Sequence, residues 1–140
     1  MKGVGMADYF TYFSLVLKLN DEQKRYALDL AKKGSNYSTD DKIPNGFPVS
    51  LAEVLDEWFF ETEDDKEGIW IHSECGGIDA VCLFIQHLLQ KFEFDAYITF
   101  EWSYDCNQPR TDAYGGGAAF ITSTEIESMT TTEWLRSKTS

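Results

Sequence analysis

The chain has 140 residues, 43% of them hydrophobic and 15% aromatic, which is enough apolar material for one packed domain and argues against general disorder. Its formal net charge is −12, from 24 acidic and 12 basic residues, a sign that repels nucleic acid and anionic membranes and attracts basic partners. The longest apolar run, Ala80–Ile85, falls far short of the roughly 20 residues that cross a bilayer.

Residues 1–7 carry no pattern and are expected to be disordered; Asp8 and the aromatics around it interrupt any secretory leader. Phe13, Leu15, Leu17 and Leu19 alternate with Ser14, Val16 and Lys18, the period of a half-buried strand. A helix follows. Asn20 with Gln23 makes a capping-box pattern, Asp21 and Glu22 suit the positive end of the helix dipole, and Lys32 and Lys33 suit the negative end. Gly34 fits a left-handed stop, and Tyr26, Ala27, Leu30 and Ala31 form the buried stripe. Residues 35–49 contain Pro44, Asn45-Gly46 and Pro48 and read as a loop. Ser50 with Glu53 is a second capping-box pattern, and Leu51, Val54, Leu55 and Trp58 share one helical face, yet Phe59–Glu63 can run extended. Residues 51–60 are therefore helix, strand, or one followed by the other. Glu63 to Gly68 reads as a hairpin tip before a strand over Ile69–His72.

Residues 77–92 have the clearest helical spacing. Ile78, Val81, Cys82, Ile85, Leu88, Leu89 and Phe92 fall on one face, with His87 opposite its centre. Ala96, Ile98, Phe100, Trp102 and Tyr104 then alternate with Tyr97, Thr99, Glu101, Ser103 and Asp105 in a long strand. Cys106 to Tyr114 is a loop, Gly115-Gly116-Gly117 is a turn, and residues 118–122 form a strand. The tail reads as helical from Thr124, with a restart at Thr130 and with Trp134 and Leu135 docking it. The order β-α-(α)-β-β-α-β-β-α predicts one α+β domain over residues 1–140. Its sheet is mainly antiparallel, of about five strands, with three or four helices. The β-α-β-β-α-β order inside it allows a ferredoxin-like layer.

The charge is localised. Residues 51–105 hold 14 acids against only Lys66 and Lys91, whereas residues 1–50 hold 6 acids against 7 bases. Acidity of this kind often serves solubility alone, but its concentration in one segment marks Glu61, Glu63, Asp64, Asp65, Glu67, Glu101 and Asp105 as candidate contacts for a basic partner. Trp70 and Tyr97 are expected to project from the sheet away from the core, and exposed Trp and Tyr anchor interfaces. They do not make a single-strand platform, which needs a basic groove.

Catalytic patterns are weaker than their structural explanations. Cys75 precedes a helix start with His72 three residues away, but local acids oppose a thiolate and no cysteine-hydrolase signature is present. Cys82, on the apolar helix face, reads as core. Cys106 and Arg110, with the Gly115–Gly117 turn (Gly115, Gly116), offer an alternative small-molecule site. That glycine run lacks the strand-Gly-helix context of a nucleotide site, and Gly76-Gly77 sits among acids that repel an anion. His72, Cys75 and Cys106 lack zinc-site spacing, and Glu61 to Glu67 lacks the spacing and central glycine of a calcium loop. No catalytic residue, metal or cofactor is expected, and three cysteines without Cys-x-x-Cys fit a cytoplasmic protein.

The stretch from Trp102 to Ala118, which includes Asp105-Cys106-Asn107-Gln108-Pro109-Arg110 and the three glycines, together with Trp70 and Trp134-Leu135, resembles a group of small uncharacterised acidic bacterial proteins, phage- and plasmid-borne members among them. The resemblance carries no activity and no functional residue; it implies a mobile-element accessory protein. The leading expectation is a non-enzymatic interaction protein whose acidic segment docks a basic surface, in its sharpest form an inhibitor that occupies the nucleic-acid site of a host defence or DNA-processing protein by mimicking phosphate charge. The others are a ligand-binding protein or enzyme around Cys106 and Arg110, and a structural or oligomeric component.

Overall fold

The computed structural model describes residues 9–38, 42–108 and 114–139; the expectations for residues 1–7 and for Arg110 lie outside them. Its elements in order are β1 (Tyr9–Lys18), α1 (Asp21–Ser35), α2 (Val49–Ala52), a 3₁₀ turn (Leu55–Glu57), β2 (Glu61–Asp65), β3 (Gly68–Ser73), α3 (Ile78–Lys91), β4 (Ile98–Cys106), β5 (Gly115–Ile121), β6 (Ile126–Thr130) and α4 (Thr131–Thr139).

The six strands form one sheet in the order β2-β3-β1-β4-β5-β6, every neighbouring pair antiparallel. Each helical crossover skips a strand. The β1-α1-β2 path leaves β3 in between, and the β3-α3-β4 path leaves β1 in between. These two interlocked split units are the ferredoxin-like layer the element order allows, and β5 and β6 extend it at the β4 edge. The class is α+β as expected, with one strand more than anticipated. Strand β1 changes partner along its length: Tyr9–Tyr12 pair with Cys106–Ser103 of β4, whereas Phe13–Lys18 pair with Ser73–Gly68 of β3.

Both long helices cover the same face. Ala27, Leu30 and Ala31 of α1 and Val81, Phe84, Ile85, Leu88 and Leu89 of α3 join Phe13, Leu17, Ile69, Ile71, Phe100, Trp102 and Ile121 from the strands in one core. Full burial of each large apolar side chain stabilises by about 1.5–3 kcal/mol, so this face is fixed. Helix α1 begins with the anticipated box: the Gln23 N–H donates to Asn20 Oδ1 (2.8 Å), and the Asn20 N–H donates to Gln23 Oε1 (3.0 Å). Cys82 is core, and burial pushes its thiol up to about 12.

Several local expectations are corrected. Gly34 does not stop α1 in a left-handed conformation. The helix runs on to Ser35, and Asn36 caps it with right-handed backbone. A Cβ on Gly34 would collide with the Trp58 indole, so glycine is there for close packing. Residues 51–60 are resolved as α2, the 3₁₀ turn and an extended entry to β2. Leu51, Val54, Leu55 and Trp58 are all buried, but α2 is capped at Pro48 without a side-chain hydrogen bond, so Ser50 and Glu53 form no box. Gly115–Gly117 lie inside β5 rather than in a turn before it. The segment after Thr124 is β6, not helix: Thr122 Oγ1 accepts from the N–H groups of Thr124 and Glu125 and closes a tight turn. Helix α4 starts with Thr130 and Glu133 as expected, but Trp134 and Leu135 do not dock it; they are 53% and 56% exposed. No helix among the described residues is long and apolar enough to cross a membrane.

Candidate functional site: the helix-free sheet face

Side chains alternate across a strand, and the core fixes which parity points inward. Ile69 and Ile71 are fully buried, so Trp70 and His72 point outward. The register then carries this assignment across the sheet. Glu61 lies opposite His72, Glu63 opposite Trp70 and Asp65 opposite Gly68. Ser14 and Val16 continue the face on β1, followed by Glu101 and Asp105 on β4, Ala118 and Phe120 on β5, and Glu127 and Met129 on β6. The six strands contain seven carboxylates, and six of them, Glu61, Glu63, Asp65, Glu101, Asp105 and Glu127, face away from the helices. Lys18 is the only lysine or arginine in the six strands.

The β2–β3 end is the most organised part. His72 Nε2 lies 2.7 Å from Glu63 Oε2, and its Nδ1 is 3.8 Å from Glu61 Oε2. The imidazole stacks on Trp70 with ring centroids 3.9 Å apart. The Trp70 indole N–H donates to Ser14 Oγ at 2.7 Å, so a 37% exposed indole is held from two sides. Nearby, burial first, and then the Glu74 and Asp105 carboxylates, push the Tyr12 phenol above its ordinary value. At the other end, Thr99, Glu101, Ala118, Phe120, Glu127 and Met129 line an open hollow of about 550 Å³. It exists because Ala118 is short between the Tyr97–Phe120 ring stack (5.3 Å) and Met129.

The anticipated contacts divide. Glu61, Glu63, Asp65, Trp70, Glu101 and Asp105 share this face. Asp64 has the opposite parity and pairs with Lys24 of α1 at 2.9 Å; that hydrogen bond raises the lysine pKa. Glu67 lies in the β2–β3 turn, where its N–H donates to Asp65 Oδ2 and its carbonyl accepts from the Leu19 N–H. His72 and Glu127 belong to the face but were not among the anticipated contacts. Alternation in Trp70-Ile71-His72 signals the first. The second was hidden by the helical reading of residues 124–130.

The alternative ligand site has a different character. Cys106 is buried at the end of β4, and its carbonyl accepts from the Tyr114 hydroxyl at 3.0 Å. Side chains on Gly116 and Gly117 would strike the Trp102 carbonyl and the Trp102 indole, so these glycines let β5 lie flat against β4. Cys75 is exposed, but both His72 nitrogens are directed at carboxylates rather than at its sulfur. Among the described residues, no group of three or more His, Cys, Asp or Glu side chains is placed to hold a metal ion. No family model, curated protein or solved structure matches the chain.

Proposed function

We propose that the protein is a non-enzymatic, cytoplasmic interaction protein whose helix-free sheet face docks a basic protein surface, in its sharpest form the nucleic-acid site of a host defence or DNA-processing protein, with the chain acting as a mobile-element inhibitor. The observation that carries this is the sorting of strand carboxylates: six on the open face against a lone strand lysine. Solubility alone does not require carboxylates to share one face, or an indole to be clamped among them.

The dimensions support charge mimicry. Glu61, Glu63 and Asp65 recur every second residue, about 6.7 Å apart along β2, and three strand steps of about 4.8 Å put β4 about 14 Å away. The β2 row is the phosphate-like one; Glu101 lies level with Glu61 across the sheet, and Asp105 sits four residues further along β4, at a separation comparable with a major groove about 12 Å wide. Trp70 supplies the desolvated anchor that most interfaces need in addition to charge.

The test is capture of a basic nucleic-acid-binding protein from the native host, challenged in two ways. Duplex DNA should displace the captured protein, and Glu61→Lys/Glu63→Lys/Asp65→Lys should fail to capture it, while Asp64→Asn should behave as wild type. A partner that survives both the DNA and the triple substitution refutes the assignment.

A further inference from the structure

The two edges of the sheet are not alike. An edge strand exposes a row of unpaired backbone groups, and proteins protect such edges with charge. Strand β2 does so with Glu61, Glu63, Asp64 and Asp65 in five residues. Strand β6, Ile126–Thr130, carries only Glu127, and Ser128 and Met129 are exposed. Directly after it, α4 has no buried residue although it holds Trp134 and Leu135. A nine-residue helix is below the length at which an isolated helix holds in water, about 12–15 residues. The Gly116 N–H donates to Thr131 Oγ1 and ties down the start of α4, but an unprotected edge and the uncovered apolar side of an amphipathic helix thus adjoin each other.

We infer that β6 pairs antiparallel with β6 of a second copy of this chain, about a two-fold axis at Ser128, and that α4 of each copy packs over the junction. The register follows from charge and length. A two-fold axis at Glu127 would set two carboxylates directly opposite each other, which is unfavourable. An axis at Ser128 pairs all five strand residues: Ile126 with Thr130 of the second copy, Glu127 with Met129, and Ser128 with Ser128. It also carries the start of α4, at Thr131, past the end of the other copy's strand toward its Thr122–Glu125 turn. Charge complements there, since α4 holds Arg136 and Lys138 against one acid, Glu133, and the turn ends on Glu125. Trp134, Leu135 and Met129 supply the apolar contact. Such an interface is isologous, as two-fold dimers require. It takes up Glu127 but leaves Glu61, Glu63, Asp65, Trp70, Glu101 and Asp105 uncovered, so the sedimentation test and the capture test fail independently.

Sedimentation equilibrium over a concentration series tests it. Wild type should show a monomer–dimer equilibrium. Met129→Glu, which opposes Glu127 of the second copy, should shift it to monomer by at least tenfold in dissociation constant. Glu127→Lys/Met129→Glu should restore dimer, because each new lysine then faces a new glutamate. Trp134→Ala/Leu135→Ala should weaken it without changing the far-UV spectrum of the sheet. A wild-type protein that stays monomeric to about 1 mM, the weak limit of specific association, overturns the inference. So does a dimer untouched by Met129→Glu, or a charge-swapped double variant that stays monomeric.

Discussion

Gly34→Ala tests the packing logic where sequence and structure differ. Gly34 is helical and buried, and an added Cβ lands within the Trp58 indole. That indole is itself packed by Phe47, Phe60 and Phe84, with ring centroids 6.0, 4.8 and 5.7 Å away, so it has little room to move. Overpacking costs about 1–3 kcal/mol, and the collision with three ring carbons belongs at the upper end. Replacing a helical glycine by alanine returns about 0.5–1 kcal/mol. The net expectation is a loss of about 2 kcal/mol. In a Trp58→Leu background the obstacle is gone, and the same substitution should stabilise by about 0.5–1 kcal/mol. The coupling between the two positions is then about 2.5–3 kcal/mol, measurable by urea denaturation followed by far-UV circular dichroism, with the two-state cycle closed over all four proteins. If Gly34→Ala stabilises both backgrounds equally, the Trp58 contact is not what keeps glycine at this position.

Four further outcomes follow. His87 has its pKa lowered, by burial first and then by Lys91, with Tyr26 Oη 2.7 Å from its Nε2; its folded pKa lies below the ordinary 6.5, so stability is complete above that value and declines as pH falls below it. Replacing His87 by glutamine should flatten that part of a denaturation-versus-pH curve, and an unchanged slope would refute the assignment. Under native conditions a thiol reagent should modify Cys75 and leave Cys82 untouched until the chain unfolds, as burial holds that thiol up at about 12. Screening should relieve the crowding of six carboxylates on one face, so raising salt from 0.15 M to about 1 M, which shortens the Debye length from about 8 to 3 Å, should raise the melting temperature; a fall would contradict it. Asp64→Asn should cost no more than about 1 kcal/mol in thermal or urea melts, because its bridge to Lys24 is 71% exposed on the carboxylate side.

Local patterns with their partners close in sequence were legible. The Asn20–Gln23 box, the apolar stripe of α3 and the alternation of β4 each depend on neighbours within one or two turns or residues, and each folds as read, except that the buried face of α3 is wider and takes in Ala80 and Phe84. The hairpin before β3 and the buried fate of Leu51, Val54, Leu55 and Trp58 were also visible, although the tip is only Lys66-Glu67 and Glu63–Asp65, read as part of it, belong to β2. What misled was chemistry that fits two structures. Thr124 with Glu127 imitates a helix start, but Thr122 accepts from the Thr124 and Glu125 N–H groups, closes a tight turn and sends the chain into β6. Gly34 and Gly115–Gly117 look like punctuation, yet Gly34, Gly116 and Gly117 are needed by tryptophans distant in sequence, Trp58 and Trp102. The acidic site was half legible. Parity places Glu61, Glu63 and Asp65 together on one side of β2, but that this is the uncovered side depends on α1 and α3 both crossing over the other, a fact held by the whole sheet and by no single segment.

The exchange of partners along β1 has a consequence for how the protein is made. The first of the six described strands to be synthesised becomes an interior strand of the sheet, flanked by β3 and β4. Its Phe13–Lys18 half finds a partner once residue 73 has emerged, but its Tyr9–Tyr12 half waits for Ser103–Cys106. At about 5–20 residues per second, that half of an aromatic strand stays without its β4 partner for about 5–20 s. Nascent chains therefore carry the Tyr9–Tyr12 segment, held only at Thr11 by Glu74, open to chaperones until Cys106 has emerged.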